Sequence, residues 1–157
     1  MKKKNGFTLV EVMVTVAVMG VLAGIVGITM GALLGQRVKS MAADTKSVFQ
    51  CTQIASMGRD NAYIKIWQDG RDSYVVAYSS EGNEINRAEA HNVSVSYYMG
   101  SELKTAPSEA DAPKIYFNRQ TGGLKDDSTS ALKSITFTNG QRSITLQISR
   151  LTGKVTY

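Results

Sequence analysis

The chain predicts an α+β fold: one long N-terminal helix, apolar in its first half and amphipathic in its second, packed on antiparallel β-sheet. Three observations carry this reading. Residues 12–34 contain no charged side chain. From Val38 to Ala55, apolar and small residues recur at steps of three and four. From Tyr63 onward the period changes to two, in short runs rich in β-branched and aromatic residues and separated by glycine-bearing turns.

The apolar run holds 23 residues. As a helix it would be about 35 Å long, enough to cross a hydrocarbon core of roughly 30 Å. The apolar region of a cleaved secretory signal is shorter, about 7–15 residues. Lys2, Lys3 and Lys4 precede the run, so the positive-inside rule puts the N-terminus in the cytoplasm and the rest of the chain outside. Gly20 and Gly24 are four apart, as are Gly27, Gly31 and Gly35. Small residues at that spacing let helix backbones approach closely in a membrane. Glu11 stands at the start of this run, where a carboxylate requires a reason: near mid-bilayer a charge costs roughly 2.5–3.5 kcal/mol on insertion scales.

Past Gly35, the positions Val38, Met41, Ala42, Thr45, Val48, Phe49, Thr52 and Ala55 form one stripe, and Lys39, Asp44, Lys46, Gln50 and Gln53 are assigned to the opposite, polar face. The expected helix spans about 7–59, with Gly58 a weak point near its end. Strands are expected at 63–67, 73–79, 93–99, 114–118, 134–138, 143–149 and 154–157. Asp69-Gly70, Gly82-Asn83, Asn139-Gly140 and Thr152-Gly153 mark turns. The polar stretches 100–113 and 125–130 are read as surface loops.

The residues 6–11, Gly-Phe-Thr-Leu-Val-Glu, followed by the long apolar run, resemble the class III signal of type IV prepilins and type II secretion pseudopilins. That resemblance implies a pilin-like fold and a membrane peptidase that cuts between Gly6 and Phe7 and methylates the new Phe7 amine. It further implies that Glu11 helps a subunit enter a growing filament. The physical logic agrees, because a carboxylate on one helix can pair with the Phe7 ammonium of a neighbour inside an apolar bundle. Major pilins commonly carry a proline in the second half of the run; residues 25–29, Ile-Val-Gly-Ile-Thr, have none. The C-terminal part, with Ile115-Tyr116-Phe117-Asn118, Thr121-Gly122-Gly123 and Leu151-Thr152-Gly153-Lys154-Val155, resembles the GspH/FimT group of minor pseudopilins. Together these imply a leader at 1–6, a membrane and assembly helix at 7–35, an amphipathic helix at 36–62 and an extracytoplasmic β-rich domain at 63–157.

The chain carries 18 basic and 13 acidic residues, a net charge of +5, and without the three N-terminal lysines the remainder is +2. Overall charge therefore makes no case for nucleic-acid binding. Some relatives of the resembled group act in DNA uptake through basic residues near the C-terminal turn. The matching positions are Arg150 and Lys154, with Arg142 on the preceding hairpin and Tyr157 available to stack. The doubly basic pattern of those relatives is missing, and a plain solvated turn is the preferred reading.

Enzymatic chemistry finds little support. His91 is the only histidine and is read as a surface-loop residue without a nucleophile motif around it. Cys51, the only cysteine, lies at the rim of the helix stripe without an activating partner. Asp126-Asp127 lacks the ligand ladder of a calcium loop, and no metal or cofactor is expected. The expected role is a non-enzymatic minor pilin or pseudopilin. Its partners would be prepilin peptidase, other pilin subunits and the membrane assembly machinery. The alternatives are a DNA-binding minor pilin and a signal-anchored surface domain outside any filament.

Overall fold

The computed structural model describes residues 8–58, 60–100, 102–125 and 132–157, the side chains of 26–34 excepted. Gly6, Phe7 and Asp126-Asp127 lie outside this description, as do the surroundings of Gly27 and Gly31. Helix α1 spans Leu9–Met57. Nine strands follow: β1 Tyr63–Asp69, β2 Asp72–Tyr78, β3 Glu84–His91, β4 Ser94–Met99, β5 Glu102–Thr105, β6 Lys114–Tyr116, β7 Leu132–Thr138, β8 Ser143–Ile148 and β9 Val155–Thr156. The fold is α+β, an N-terminal helix packed on antiparallel sheets. The chain divides into two compact units, Met1–Leu34 and Gly35–Tyr157.

In the second unit the strands form two antiparallel sheets, ordered β3-β2-β1-β6 and β5-β4-β7-β8-β9. One hydrophobic core joins them to the helix. Val38, Met41, Ala42, Val48 and Phe49 of α1 are buried among Ile64, Ile66 and Val75 of the first sheet and Ile135, Phe137 and Leu146 of the second. Phe49 meets Phe117 edge to face at 6.0 Å, a geometry that suits the ring quadrupoles. The stripe expected from Val38 to Thr52 is buried throughout, and Ala55 is half-buried. The polar face departs from expectation at Gln53, which is half-buried and turned to the body.

Two strands lie where none was expected. β3 carries Ala88 as its single fully buried residue, so no apolar alternation announces it. Its ladder to β2, from Asp72↔His91 to Tyr78↔Glu84, holds it as an edge strand, and His91 therefore ends a strand instead of lying in a loop. β5 falls within the stretch read as a surface loop. All four of its residues are exposed, with Glu102 and Lys104 3.8 Å apart. Charge on an edge strand discourages pairing with another chain, which is why such strands escape a hydrophobic pattern.

In the first unit the described side chains of α1 are exposed on every side, from Leu9 at 76% to Ile25 at 55%. Among the described residues no helix is long and apolar enough to cross a membrane. The crossing expected at 12–34 runs into 26–34, whose side chains are outside the description.

Candidate functional site

The start of α1 is built by a local signal that the sequence reading passed over. Thr8 precedes the first helical residue, and its Oγ1 accepts a hydrogen bond from the Glu11 backbone N–H at 3.3 Å. The Val12 N–H bonds the Thr8 carbonyl at 3.2 Å. Thr8 is thus the N-cap and Glu11 the third helical residue, the Thr-x-x-Glu spacing of a capping box. A carboxylate in the first turn also complements the positive end of the helix dipole, by about 0.3–1 kcal/mol at an exposed site. Glu11 accordingly has a local role in setting where the helix begins. Its side chain is exposed, and among the described residues no cation pairs with it.

The helix beyond Glu11 presents Val12, Met13, Val14, Val16, Val18, Met19, Val21 and Leu22 at exposures between 50% and 68%. Burying one such side chain is worth about 1.5–3 kcal/mol, so this surface calls for an apolar environment on all sides. A Cβ added at Gly20 or Gly24 would meet nothing within 4 Å, so the face they share is open to a close neighbour.

The basic residues near the C-terminus fall into two places. Arg142 sits in the β7–β8 turn, where its backbone N–H bonds Asn139 Oδ1 at 2.9 Å. Its side chain lies beside Gly35, where an added Cβ would be 3.7 Å from Arg142 Cδ. Arg150 and Lys154 sit in the β8–β9 turn, at the other end of β8. Six residues of strand separate the two ends, roughly 20 Å at about 3.4 Å per residue. The fold therefore brings Arg150 and Lys154 together and leaves Arg142 apart. Both are exposed, and the Arg150 carbonyl accepts the Leu124 N–H at 2.9 Å.

Gln53 ties this turn to the helix. Its Nε2 donates to the Gly122 carbonyl at 2.8 Å and to the Thr152 carbonyl at 2.7 Å. The two turns are packed so closely that a Cβ on Gly153 would collide with the Gly122 carbonyl oxygen, and Gly153 also has φ +65°. Glycine is required there on both counts. Lys46, about two helical turns before Gln53, lies over the Tyr157 ring at 5.8 Å.

The remaining sequence candidates stay isolated. His91 Nδ1 contacts Asp72 Oδ1, and its backbone carbonyl accepts a hydrogen bond from Arg37 Nη1 at 3.4 Å; among the described residues no nucleophile joins them. Cys51 is a half-buried free thiol. Among the described residues no group of three or more His, Cys, Asp or Glu could hold a metal ion.

Residues 1–34 match a family model described as the prokaryotic N-terminal methylation motif. The motif supports a type IV pilin-like or pseudopilin precursor and points to processing by a prepilin peptidase, assembly with other pilins and a membrane-anchored N-terminus. No curated protein and no solved structure matches the chain.

Proposed function

We propose that this chain is a minor pilin or pseudopilin, a non-enzymatic subunit of a type IV pilus-like or type II secretion-like filament. The observation that carries the reading is the methylation motif at 1–34 on a helix whose side chains from Val12 to Ile25 are uncharged and exposed all round. Such a helix suits lipid first and the helices of a filament afterwards. In this reading the segment 7–35 crosses the cytoplasmic membrane with its N-terminus inside, and 63–157 forms the β-rich body outside. The peptidase cuts between Gly6 and Phe7, Phe7 is N-methylated, and Glu11 pairs with the Phe7 ammonium of a neighbouring subunit. Gly20, Gly24, Gly27, Gly31 and Gly35 line close helix contacts. The absence of proline from 12–34 favours a minor subunit over the bulk one, and the C-terminal hairpin favours the GspH/FimT group.

Co-expression with a prepilin peptidase tests this directly. The expected result is a mass loss equal to residues 1–6 together with one added methyl group, abolished by Gly6→Leu. An unchanged precursor mass would favour a signal-anchored domain and overturn the assignment. Glu11→Ala is expected to leave cleavage intact and reduce incorporation into filaments.

The pairing of Arg150 and Lys154 on one exposed turn favours DNA contact as a second reading, without Arg142. It predicts salt-sensitive binding of duplex DNA that weakens in Arg150→Ala and Lys154→Ala. Absence of binding at low salt would dispose of it.

A further inference from the structure

The edges of the two sheets differ in how they are protected. β3 carries Glu84, Arg87 and Glu89, and β5 carries Glu102 and Lys104. β6 is three residues long and includes Lys114. Charge and shortness both discourage a foreign strand. β9 is shorter still, two residues, and pairs only with Gln147 and Ile148 of β8. From Ser143 to Leu146 no described strand covers the outer edge of β8, and this Ser-Ile-Thr-Leu segment has neither charge nor proline. The direction of its backbone groups follows from its neighbours. The Ser149 N–H bonds the Lys154 carbonyl on the β9 side, and the Arg142 carbonyl accepts the Asn139 N–H on the β7 side. Backbone groups alternate in direction along a strand. Ser143 and Thr145 therefore turn both N–H and C=O toward the open edge. Side chains alternate as well: Ser143 and Thr145 are exposed, Ile144 is half-buried and Leu146 is buried.

Helix α1 runs beside this edge. Gly35 lies against the Arg142 side chain, Lys46 over Tyr157, and Gln53 on the Thr152 carbonyl. These helix positions share one face, and Lys39, one turn after Gly35, falls on it between Arg142 and Lys46. The charge along the lane has one sign. From Leu132 to Tyr157 the chain has no acidic residue, and from Gly35 to Met57 it has only Asp44. Asp44 is five residues from Lys39 and two from Lys46, spacings that turn it to another face, where it accepts Ser40 Oγ at 3.0 Å. Among the described residues no carboxylate pairs with Lys39, Lys46 or Arg142.

We propose that the open edge of β8 takes an added strand, an extended acidic segment of a partner protein that pairs antiparallel with Ser143–Leu146. Its backbone answers the N–H and C=O of Ser143 and Thr145, an apolar residue settles beside Ile144, and its carboxylates meet Arg142, Lys39 and Lys46. Charge selects this occupant. A second copy adding its own β8 would bring another Arg142 and no acidic group. Nucleic-acid phosphates would answer the cations but have no donor for the two carbonyls. This proposal does not rest on the filament reading.

The test uses the full chain in a nonionic detergent. The probe is a synthetic peptide of alternating glutamate and valine. Its controls are the lysine–valine counterpart and the acidic peptide N-methylated throughout. The acidic peptide is expected to bind at low salt, to weaken as salt rises, and to slow amide exchange at Ser143 and Thr145. Neither control is expected to bind. Thr145→Pro removes an N–H that β7 does not use, so it is expected to keep the parent's melting temperature and to bind the peptide at least about tenfold more weakly. The double variant Lys39→Ala with Arg142→Ala is expected to bind about tenfold more weakly and with less salt dependence. Should Thr145→Pro fail to fold, the N-methylated peptide and the double variant carry the test. No binding of the acidic peptide at low salt would overturn the proposal, as would equal binding of either control or undiminished binding by both variants. Self-association abolished by Thr145→Pro would make a second copy the occupant instead. Duplex DNA that binds more tightly than the peptide, and equally well to Thr145→Pro, would make the lane a nucleic-acid site and overturn it too.

Discussion

Between Leu9 and Ile25 the large apolar side chains of α1 stand in the open, Leu9 at 76% and Met19 at 68% exposure, whereas Val38, Met41 and Val48 of the same helix are at 0%. The first stretch is apolar on every side and the second on one stripe only. A one-sided stripe says where the helix meets its own chain. An all-round apolar surface calls for apolar surroundings that its own stretch of chain does not supply. Small residues follow the same division. Gly20 and Gly24 face open space, while at Gly123 and Gly153 an added Cβ would strike backbone carbonyl oxygens.

The sharpest way to break that contrast is to shorten one side chain in each stretch. Phe49→Ala removes a ring at 1% exposure that packs on Phe117 and is expected to destabilise the body by about 3–5 kcal/mol in denaturant unfolding. Val18→Ala, at 52% exposure, is expected to leave the same transition within about 0.5 kcal/mol of the parent. Equal losses would show that the apolar stretch has its own intramolecular cover. Gln53→Leu tests a polar side chain through which the helix reaches the C-terminal turns. Losing both bonds is expected to cost about 1–3 kcal/mol and to speed amide exchange around 149–154.

Thr45 works in the other direction. It is fully buried in the stripe, and its Oγ1 has no hydrogen-bond partner. Thr45→Val keeps the shape and removes the stranded hydroxyl, with an expected gain of about 1 kcal/mol read as a higher melting temperature. A loss would mean that the hydroxyl has found a partner. The smallest effect lies at Asp60, just past the helix. Hydrogen bonds from Ser80, one of them from its backbone N–H at 2.9 Å, hold the carboxyl below its ordinary value of 3.8. The folded pKa is the lower one, so the contribution is present above the unfolded value and lost as pH falls through the folded one. Asp60→Asn is expected to flatten this part of the acid limb of a stability–pH curve through a small loss at neutral pH, with no change below the folded pKa.

What was legible in the sequence follows how strongly each element shows its burial. The stripe from Val38 to Thr52 and the inner strands β1, β2, β7 and β8 write their environment into alternating side chains. β3 and β5 are edge strands held by backbone ladders, and their side chains, in Glu84–His91 and Glu102–Thr105, carry no such record. Gln53 has the chemistry of a solvated face and was assigned to one. Only the fold brings two backbone carbonyls within reach of its amide. Thr8 and Glu11 are legible by their Thr-x-x-Glu spacing alone, as a helix start.

The Gln53 bonds also bear on the order in which the body folds. They join positions 69 and 99 residues apart in the chain. The turns they hold are closed to side chains and gain little from neighbours in sequence. Contacts over such separations form only after the intervening chain has been ordered, and they slow folding accordingly. The two glycine turns are therefore expected to lock last, once the helix has docked and both sheets stand. Refolding followed by amide protection would show 118–124 and 149–154 as the latest segments to become sheltered.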